Sequence, residues 1–282
     1  MGIDHLAVVE EHSGSFTGAV TGNLGAPVAA CPGWTVDDLV AHLAEVRAWW
    51  TAVVPAKGAY PGEAAARRAA DTGPDRVAGW REISARYVAV REEHPRSAGP
   101  DAPGWAWWTE ERSATAAALV SRQAHEAVVH RRDAWRAAGV VRSIPAGPAA
   151  GGVDEFPERF LDGVPWAGGP AVPELVATDT GGRWLVGTDG SGEPARWAEG
   201  AAGGAADARV SGSAQQLYLL LWRRVGVGEV EVAGDRSKAE ALLGWPDLSR
   251  RGLVRGVRRP GPAGSRRVRG ARSRPDSGRC AP

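Results

Sequence analysis

Residues 124–133 read Ala-His-Glu-Ala-Val-Val-His-Arg-Arg-Asp, AHEAVVHRRD, and they pose one physical problem. The surrounding segment, from about Ser113 to Ala138 and closed by Gly139, has the pattern of a buried helix, yet it carries two histidines and a glutamate. Glu126 and His130 are four residues apart and share one face of a helix. That stripe also holds Leu119, seven residues before Glu126, and Ala137, seven after His130, so the polar pair replaces core side chains. His125 is rotated by about 100° from Glu126 and belongs to another face. Burying ionisable groups is costly without a partner. A metal ion is one such partner and a hydrogen-bonded core is another.

A matching anomaly lies upstream, in CPGWTVDDLVAHLAEVRAWW, residues 31–50. Thr35 followed three residues later by Asp38 is a helix N-cap pattern, with Asp37 and Asp38 placed to favour the helix dipole. Leu39, Leu43, Val46 and Trp50 follow at helical spacing. His42 falls on the line of Leu39, Val46 and Trp49, close to the apolar side. If these two helices are neighbours, two imidazoles face one carboxylate. Two histidines and a carboxylate make a three-ligand divalent site with positions left for water or substrate, as in catalytic zinc centres. An E-x3-H pair occurs by chance in many helices, and on spacing alone His42 reads first as a hydrogen-bonded core histidine and second as a ligand.

Two further amphipathic helices complete the first half: a weakly periodic one over 3–22, with Ile3, Leu6, Phe16 and Val20 inward, and one from Asp75 to about Glu93, with Val77, Trp80, Ile83, Tyr87 and Val90 on one side. Four such helices predict a four-helix bundle over residues 1–145. Between the third and fourth, Gly104-Trp105-Ala106-Trp107-Trp108 either lines a cleft or covers the bundle end. After Pro145-Ala146-Gly147-Pro148 the pattern changes. Leu175 to Asp179 and Arg183 to Gly187 flank Thr180-Gly181-Gly182 and predict a hairpin. Val210 to Ser213 leads into an apolar helix from Gln216 to Trp222, Val230 to Val232 alternates as a short strand, and Arg236 to Leu243 closes as a short helix. This predicts a small α+β domain over 165–247. Residues 250–282, rich in Arg, Gly, Pro and Ser, read as a disordered basic tail.

Composition narrows the function classes. The tail holds eleven arginines and one acid, leaving the rest of the chain at about −9 against a formal total of +1. An acidic body is poorly suited to nucleic acid. The tail's arginines permit nonspecific phosphate contacts, but no aromatic platform or recognition motif accompanies them. Lysine occurs only at Lys57 and Lys238, a bias that suggests a high-GC genome. Two distant cysteines, Cys31 and Cys280, argue against a disulfide framework and for a reducing cytoplasm. No apolar run approaches the roughly 20 residues of a membrane span.

CPGWTVDDLVAHL, followed about eighty residues later by AHEAVVH, resembles the mycothiol-dependent maleylpyruvate isomerase family, whose first domain is a DinB-like four-helix bundle. SGSAQQLYLLLWRR followed by VEVAGDR is similar to that family's C-terminal domain, of sterol-carrier-like α+β fold. The resemblance spans about residues 3–247 and leaves the tail outside. It implies a divalent metal, usually Zn2+, held by His42, Glu126 and His130, and mycothiol, the low-molecular-weight thiol of actinobacteria, as cosubstrate. The implied chemistry is thiolate addition to a small electrophile; for isomerisation, addition, bond rotation and elimination return the thiol. Arg223 and Arg224, directly after LLLW, are candidates to meet the electrophile's carboxylates, the alternative being a solvated helix end. A second reading, from another function class, is a non-catalytic binding protein that uses its metal for stability. His125 is expected to pack in a neighbouring groove, and Arg131 and Asp133 to support the metal site from behind. Cys31 reads as a structural thiol, and His5, His12 and His94 receive no role.

Overall fold

The computed structural model describes residues 3–53, 68–104, 114–161, 170–187, 196–199 and 206–244. The basic tail and the tryptophans Trp105, Trp107 and Trp108 lie outside the described residues.

The first half is helical: α1 (His5–Val20), α2 (Val36–Val53), α3 (Arg76–Ala98) and α4 (Ala116–Ala137). Local chemistry sets their ends. The Asp4 carboxylate accepts from the backbone N–H groups of Leu6 and Ala7, both at 3.1 Å. At α2 the capping exchange is reciprocal: the Thr35 N–H donates to Asp38 Oδ2 at 2.8 Å, and the Asp38 N–H donates to Thr35 Oγ1 at 3.3 Å. Two donors that the helix itself leaves open are thereby satisfied. Thr115 Oγ1 accepts from the Ala118 N–H at 3.1 Å to open α4. Gly139 closes it at φ 75°, a left-handed conformation that favours glycine.

α1 packs along α4 and α2 along α3, while α2 and α4 meet over a shorter stretch. Between the helices lie Phe16, Val20, Leu39, Leu43, Trp80 and Ile83, and, further along, Val9, Val46, Trp50, Tyr87 and Leu119, all buried. Each fully buried side chain of this kind contributes about 1.5–3 kcal/mol. Cys31, fully buried in the turn before α2, is disulfide-bonded rather than the structural thiol expected from sequence. The one other cysteine, Cys280, lies outside the described residues.

The second half is α+β. A five-stranded sheet has the order β5-β4-β3-β6-β7, built from β3 (Pro173–Ala177), β4 (Arg183–Gly187), β5 (Arg196–Glu199), β6 (Ala208–Gly212) and β7 (Glu231–Gly234). β1 (Pro103–Gly104) and β2 (Ala114–Thr115) form a separate two-stranded pair. The expected hairpin is β3–β4, although β3 begins two residues earlier than its apolar run suggests. β6 pairs in parallel with β3, setting Val210 beside Leu175, where the sequence suggested only a lead-in to a helix. That helix is α6 (Ala214–Leu221), started by a capping box between Ser213 and Gln216, and α7 (Arg236–Gly244) closes the described chain.

One helix was not expected. α5 (Ala146–Phe156) begins where Pro145 to Pro148 read as a break, and it runs into a π-helical turn, Pro157–Leu161. Proline is tolerated in a first helical turn, where the backbone N–H has no intrahelical acceptor. Pro148 stands there, as the third residue of α5. α5 also explains a glycine: a Cβ on Gly152 would fall 2.2 Å from the Tyr218 ring, so only glycine lets α5 and α6 approach this closely. Val128 and Val129 of α4 join the core formed by Phe156, Tyr218, Trp222 and the sheet. α4 therefore has two buried faces, one toward α2 and one toward the α+β half. Among the described residues, no helix is long and apolar enough to cross a membrane.

Candidate metal centre

α2 and α4 bring the three sequence-selected side chains together. His42 Nε2 lies 3.2 Å from Glu126 Oε1, and His130 Nε2 lies 3.4 Å from the same oxygen. The two imidazole rings are 5.3 Å apart at their centroids and nearly perpendicular. One ligating atom from each of the three residues falls within 4.8 Å of the others. This convergence follows from helix geometry, because Glu126 and His130 are successive turns of one stripe and His42 faces them from α2.

The surroundings fix each group differently. His130 is fully buried; its Nδ1 lies 3.1 Å from Asp133 Oδ2, while its Nε2 has no hydrogen-bond partner. Asp133 in turn accepts from Arg224 Nη2 at 2.8 Å and, more loosely, from Arg224 Nε at 3.4 Å. Burial alone would lower the His130 pKa, but Asp133 and Glu126 outweigh it and raise it. Burial would raise the Asp133 carboxyl, but Arg224 and His130 hold it well below the usual carboxylate range. Glu126 follows the same logic: burial is opposed by Arg122, His130 and His42, and its carboxyl stays ionised far into acid. Its second oxygen accepts from Arg122 Nη2, a short contact within α4. Arg122 also donates from Nη1 to Glu155 Oε2 of α5 at 2.9 Å. His42 keeps its side chain 15% exposed and stands 5.3 Å, ring to ring, from Trp34. The trio therefore opens on the His42 side and is sealed on the His130 side.

The residues fit a divalent ion. A buried carboxylate and two imidazoles are the donor set of open zinc sites. His130 presents an unpartnered Nε2 toward Glu126, and its other nitrogen is held by a carboxylate, the usual way a ligating histidine is oriented.

The paired candidates Arg223 and Arg224 part company. Arg224 points inward to Asp133, its side chain 2% exposed. Arg223 adopts a left-handed backbone, φ 62°, and its guanidinium lies 5.8 Å above the Phe156 ring. Asp133 holds the His130 ring, whereas Arg131 turns away to the Ser143 carbonyl at 3.2 Å. His125 packs as expected, against Gly151 and beside His5 and Tyr218. Arg122 and Glu155 were not singled out from sequence. Arg122, four residues before Glu126, offered the only local signal.

Comparison with known proteins agrees with this layout. The N-terminal domain model of mycothiol maleylpyruvate isomerases matches residues 8–135, and the C-terminal domain model of the same family matches residues 148–241. The crystal structure of the mycothiol-dependent maleylpyruvate isomerase is similar in fold, with a TM-score of 0.59 at 17% identity, over 83% of this chain and 94% of that one. A histidine-to-alanine mutant of that isomerase superposes equally well, with a TM-score of 0.59 at 16% identity and the same coverage. No curated protein sequence matches the chain. With both domain models met in order along most of its length, the chain belongs to the mycothiol-dependent maleylpyruvate isomerase family.

Proposed function

We propose that this protein is a metal-dependent isomerase or thiol transferase that uses mycothiol on a small electrophilic substrate, with His42, Glu126 and His130 holding a divalent ion, Zn2+ by the character of the donors. The observation that carries the reading is the convergence of three ligand atoms within 4.8 Å around an unpartnered, fully buried His130 Nε2. Among the described residues no fourth histidine, cysteine or carboxylate joins the group, which favours an open, catalytic centre over a closed, structural one.

When bound, zinc lowers the pKa of a coordinated thiol so that it is deprotonated at neutral pH. The chain's own residues do the positioning. Asp133 holds the His130 ring through Nδ1, and Arg224 keeps Asp133 ionised, so the ligand face of His130 is fixed before any ion arrives. Arg224 is thus a positioning residue, and Arg223 is the remaining basic candidate for the electrophile. The two-domain reading that accompanies this function is a DinB-like four-helix bundle over 1–145 and a sterol-carrier-like α+β domain over 165–247, with α5 packed in the core of the second half.

The test is metal content measured beside turnover. Purified protein reconstituted with zinc is expected to retain about one equivalent and to consume a thiol and an activated double bond only while the metal is present. Turnover that survives complete chelation defeats the mechanism. Retained metal with no thiol chemistry, and unfolding on chelation, would instead make the protein a metal-stabilised binder.

A further inference from the structure

The interior of the N-terminal helices contains a second polar cluster that the metal centre does not use. Arg47, five residues beyond His42 on α2, is fully buried and reaches across the helices to α1, where Nη2 donates to Ser13 Oγ at 3.2 Å. Its Nε and Nη1 have no hydrogen-bond partner. Arg91 of α3, 1% exposed, donates from Nη2 to the Trp50 carbonyl at 3.1 Å, and its Nε is likewise unpartnered. Both guanidiniums lie against one ring: 4.8 Å and 5.1 Å from the Tyr87 centroid. The Tyr87 hydroxyl is buried without a partner. On α4, Gln123 stands one turn before Glu126, 1% exposed, with neither amide atom bonded.

Among the described residues no carboxylate forms an ion pair with Arg47 or Arg91. The buried acids Glu126 and Glu155 divide Arg122 between them, and Glu126 favours the Arg47 cation only from a distance. Burial pushes the Arg47 guanidinium down to about 10, which leaves it cationic at neutral pH. Two neighbouring cations in a dry interior are costly without a counter-ion. Stacking on an aromatic ring recovers part of that cost but satisfies none of the in-plane N–H donors. Unpaired donors from α2 and α3, carried by guanidiniums that both lie against the Tyr87 ring, together with the unpartnered Tyr87 hydroxyl, supply the kind of donors a carboxylate takes.

We propose that Arg47, Arg91 and the Tyr87 hydroxyl form a carboxylate-binding subsite inside the N-terminal helices, taking the carboxylate of a small organic acid. The subsite stands on these helices alone. That its occupant is the substrate of the neighbouring metal centre rests on the functional reading above. Ser13, bonded to Arg47, also lines a groove of about 370 Å3 between α1 and α3, whose wall carries Arg81 as well as Glu10 and Glu92.

The experiment is calorimetric titration of the full-length protein, metal-free and zinc-loaded, with succinate, using dimethyl succinate as the uncharged control. Succinate is expected to bind both forms and to raise their melting temperature, as any ligand selective for the folded state must; the diester does neither. Arg47→Met and Arg91→Gln are each expected to weaken succinate binding at least about tenfold, with Arg91→Lys recovering part of it. Without succinate both variants should melt no lower than the parent, because a buried unpaired charge has been removed. A merely structural arginine pair predicts the opposite, a lower melting temperature and no succinate effect on the parent. Failure of succinate to bind either form, or binding unchanged in both variants, overturns the subsite. Binding to the metal-free form upholds it even if the metal centre proves empty of chemistry.

Discussion

His125 and His130 stand five residues apart on α4, and both are buried. On the α2 side, His130 has Asp133 at one nitrogen and Glu126 near the other, and its pKa is raised. On the α+β side, neither His125 nitrogen has a hydrogen-bond partner, and burial, helped by Arg122, pushes its pKa down to about 3. One ring is kept basic and aimed; the other is a neutral filler. The two carboxylates across the same divide repeat the contrast. Arg122 lies between them, and Glu126 stays ionised while Glu155, chiefly through burial, is pushed up to about 7. One guanidinium cannot fully compensate two buried acids, so their affinities for protons separate. Residue type therefore does not tell function on this helix. The partners do.

The sharpest way to break the comparison is His130→Ala. Removing one of three ligands should weaken zinc binding by more than about 100-fold. The helix should persist, because alanine suits its interior and Asp133 keeps Arg224, although the vacated volume costs about 2–3 kcal/mol. Elemental analysis reads the metal and circular dichroism the fold. Full zinc occupancy in a folded mutant would remove His130 from the ligand set. In the parent, zinc must displace the proton that the raised pKa retains, so affinity falls as pH drops through that pKa. The mutant should lack this part of the pH dependence.

Glu155 gives the next largest effect, on stability. Its folded pKa is about 7 against an ordinary 4.5. Below pH 4.5 both folded and unfolded chains hold the proton, and nothing is lost. As pH rises from 4.5 to 7 the unfolded chain releases it first, and stability falls by up to about 3 kcal/mol, then levels off. Glu155→Gln should remove this slope. Denaturant titrations of both proteins between pH 4.5 and 8 measure it as a difference, and parallel curves would show that Glu155 is ionised in the fold.

Much of this arrangement was legible because it is local. Thr35 and Asp38 announce the start of α2 within four residues, and Glu126, His130 and His42 follow from helical spacing once α2 and α4 are neighbours. The tie between Asp133 and Arg224 spans 91 residues. Only its first half, an acid three residues after His130, could be read locally. Periodicity could not choose between Arg223 and Arg224, because a left-handed residue at the end of α6 sends them opposite ways. α5 was hidden by Pro148, a residue that breaks helices everywhere except the first turn. Nothing in the segments around Arg47 and Arg91 signals their burial, since arginine is rarely buried.

Asp133→Asn sharpens the comparison from behind the ligand. The amide can still accept from His130, but it no longer supplies the charge that keeps the ring basic and pairs with Arg224. Zinc affinity should fall by about 10–100-fold, with His42, Glu126 and His130 intact. An affinity equal to the parent's, measured by competition with a chelator, would mean that Asp133 serves packing alone.

The smallest effect should come from the other histidine, and its sign is the informative part. His125 buries two ring nitrogens without partners, a loss of about 1–3 kcal/mol relative to hydrogen-bonded groups. His125→Met keeps a similar volume, and a flexible thioether can settle against Gly151, whose Cα side lies close to the ring: a Cβ built there would meet His125 Cε1 at 3.2 Å. Tyr218 would be undisturbed, because its hydroxyl donates to the His125 backbone carbonyl at 2.9 Å, not to the side chain. The variant should therefore be more stable by about 1 kcal/mol, a shift of a few degrees in melting temperature, with zinc content unchanged. A substitution one residue from Glu126 that stabilises the fold and spares the metal would place the division along α4 itself. A loss of zinc in a stable His125→Met protein would instead mean that the two faces of the helix are coupled, through Arg122 and its shared carboxylates.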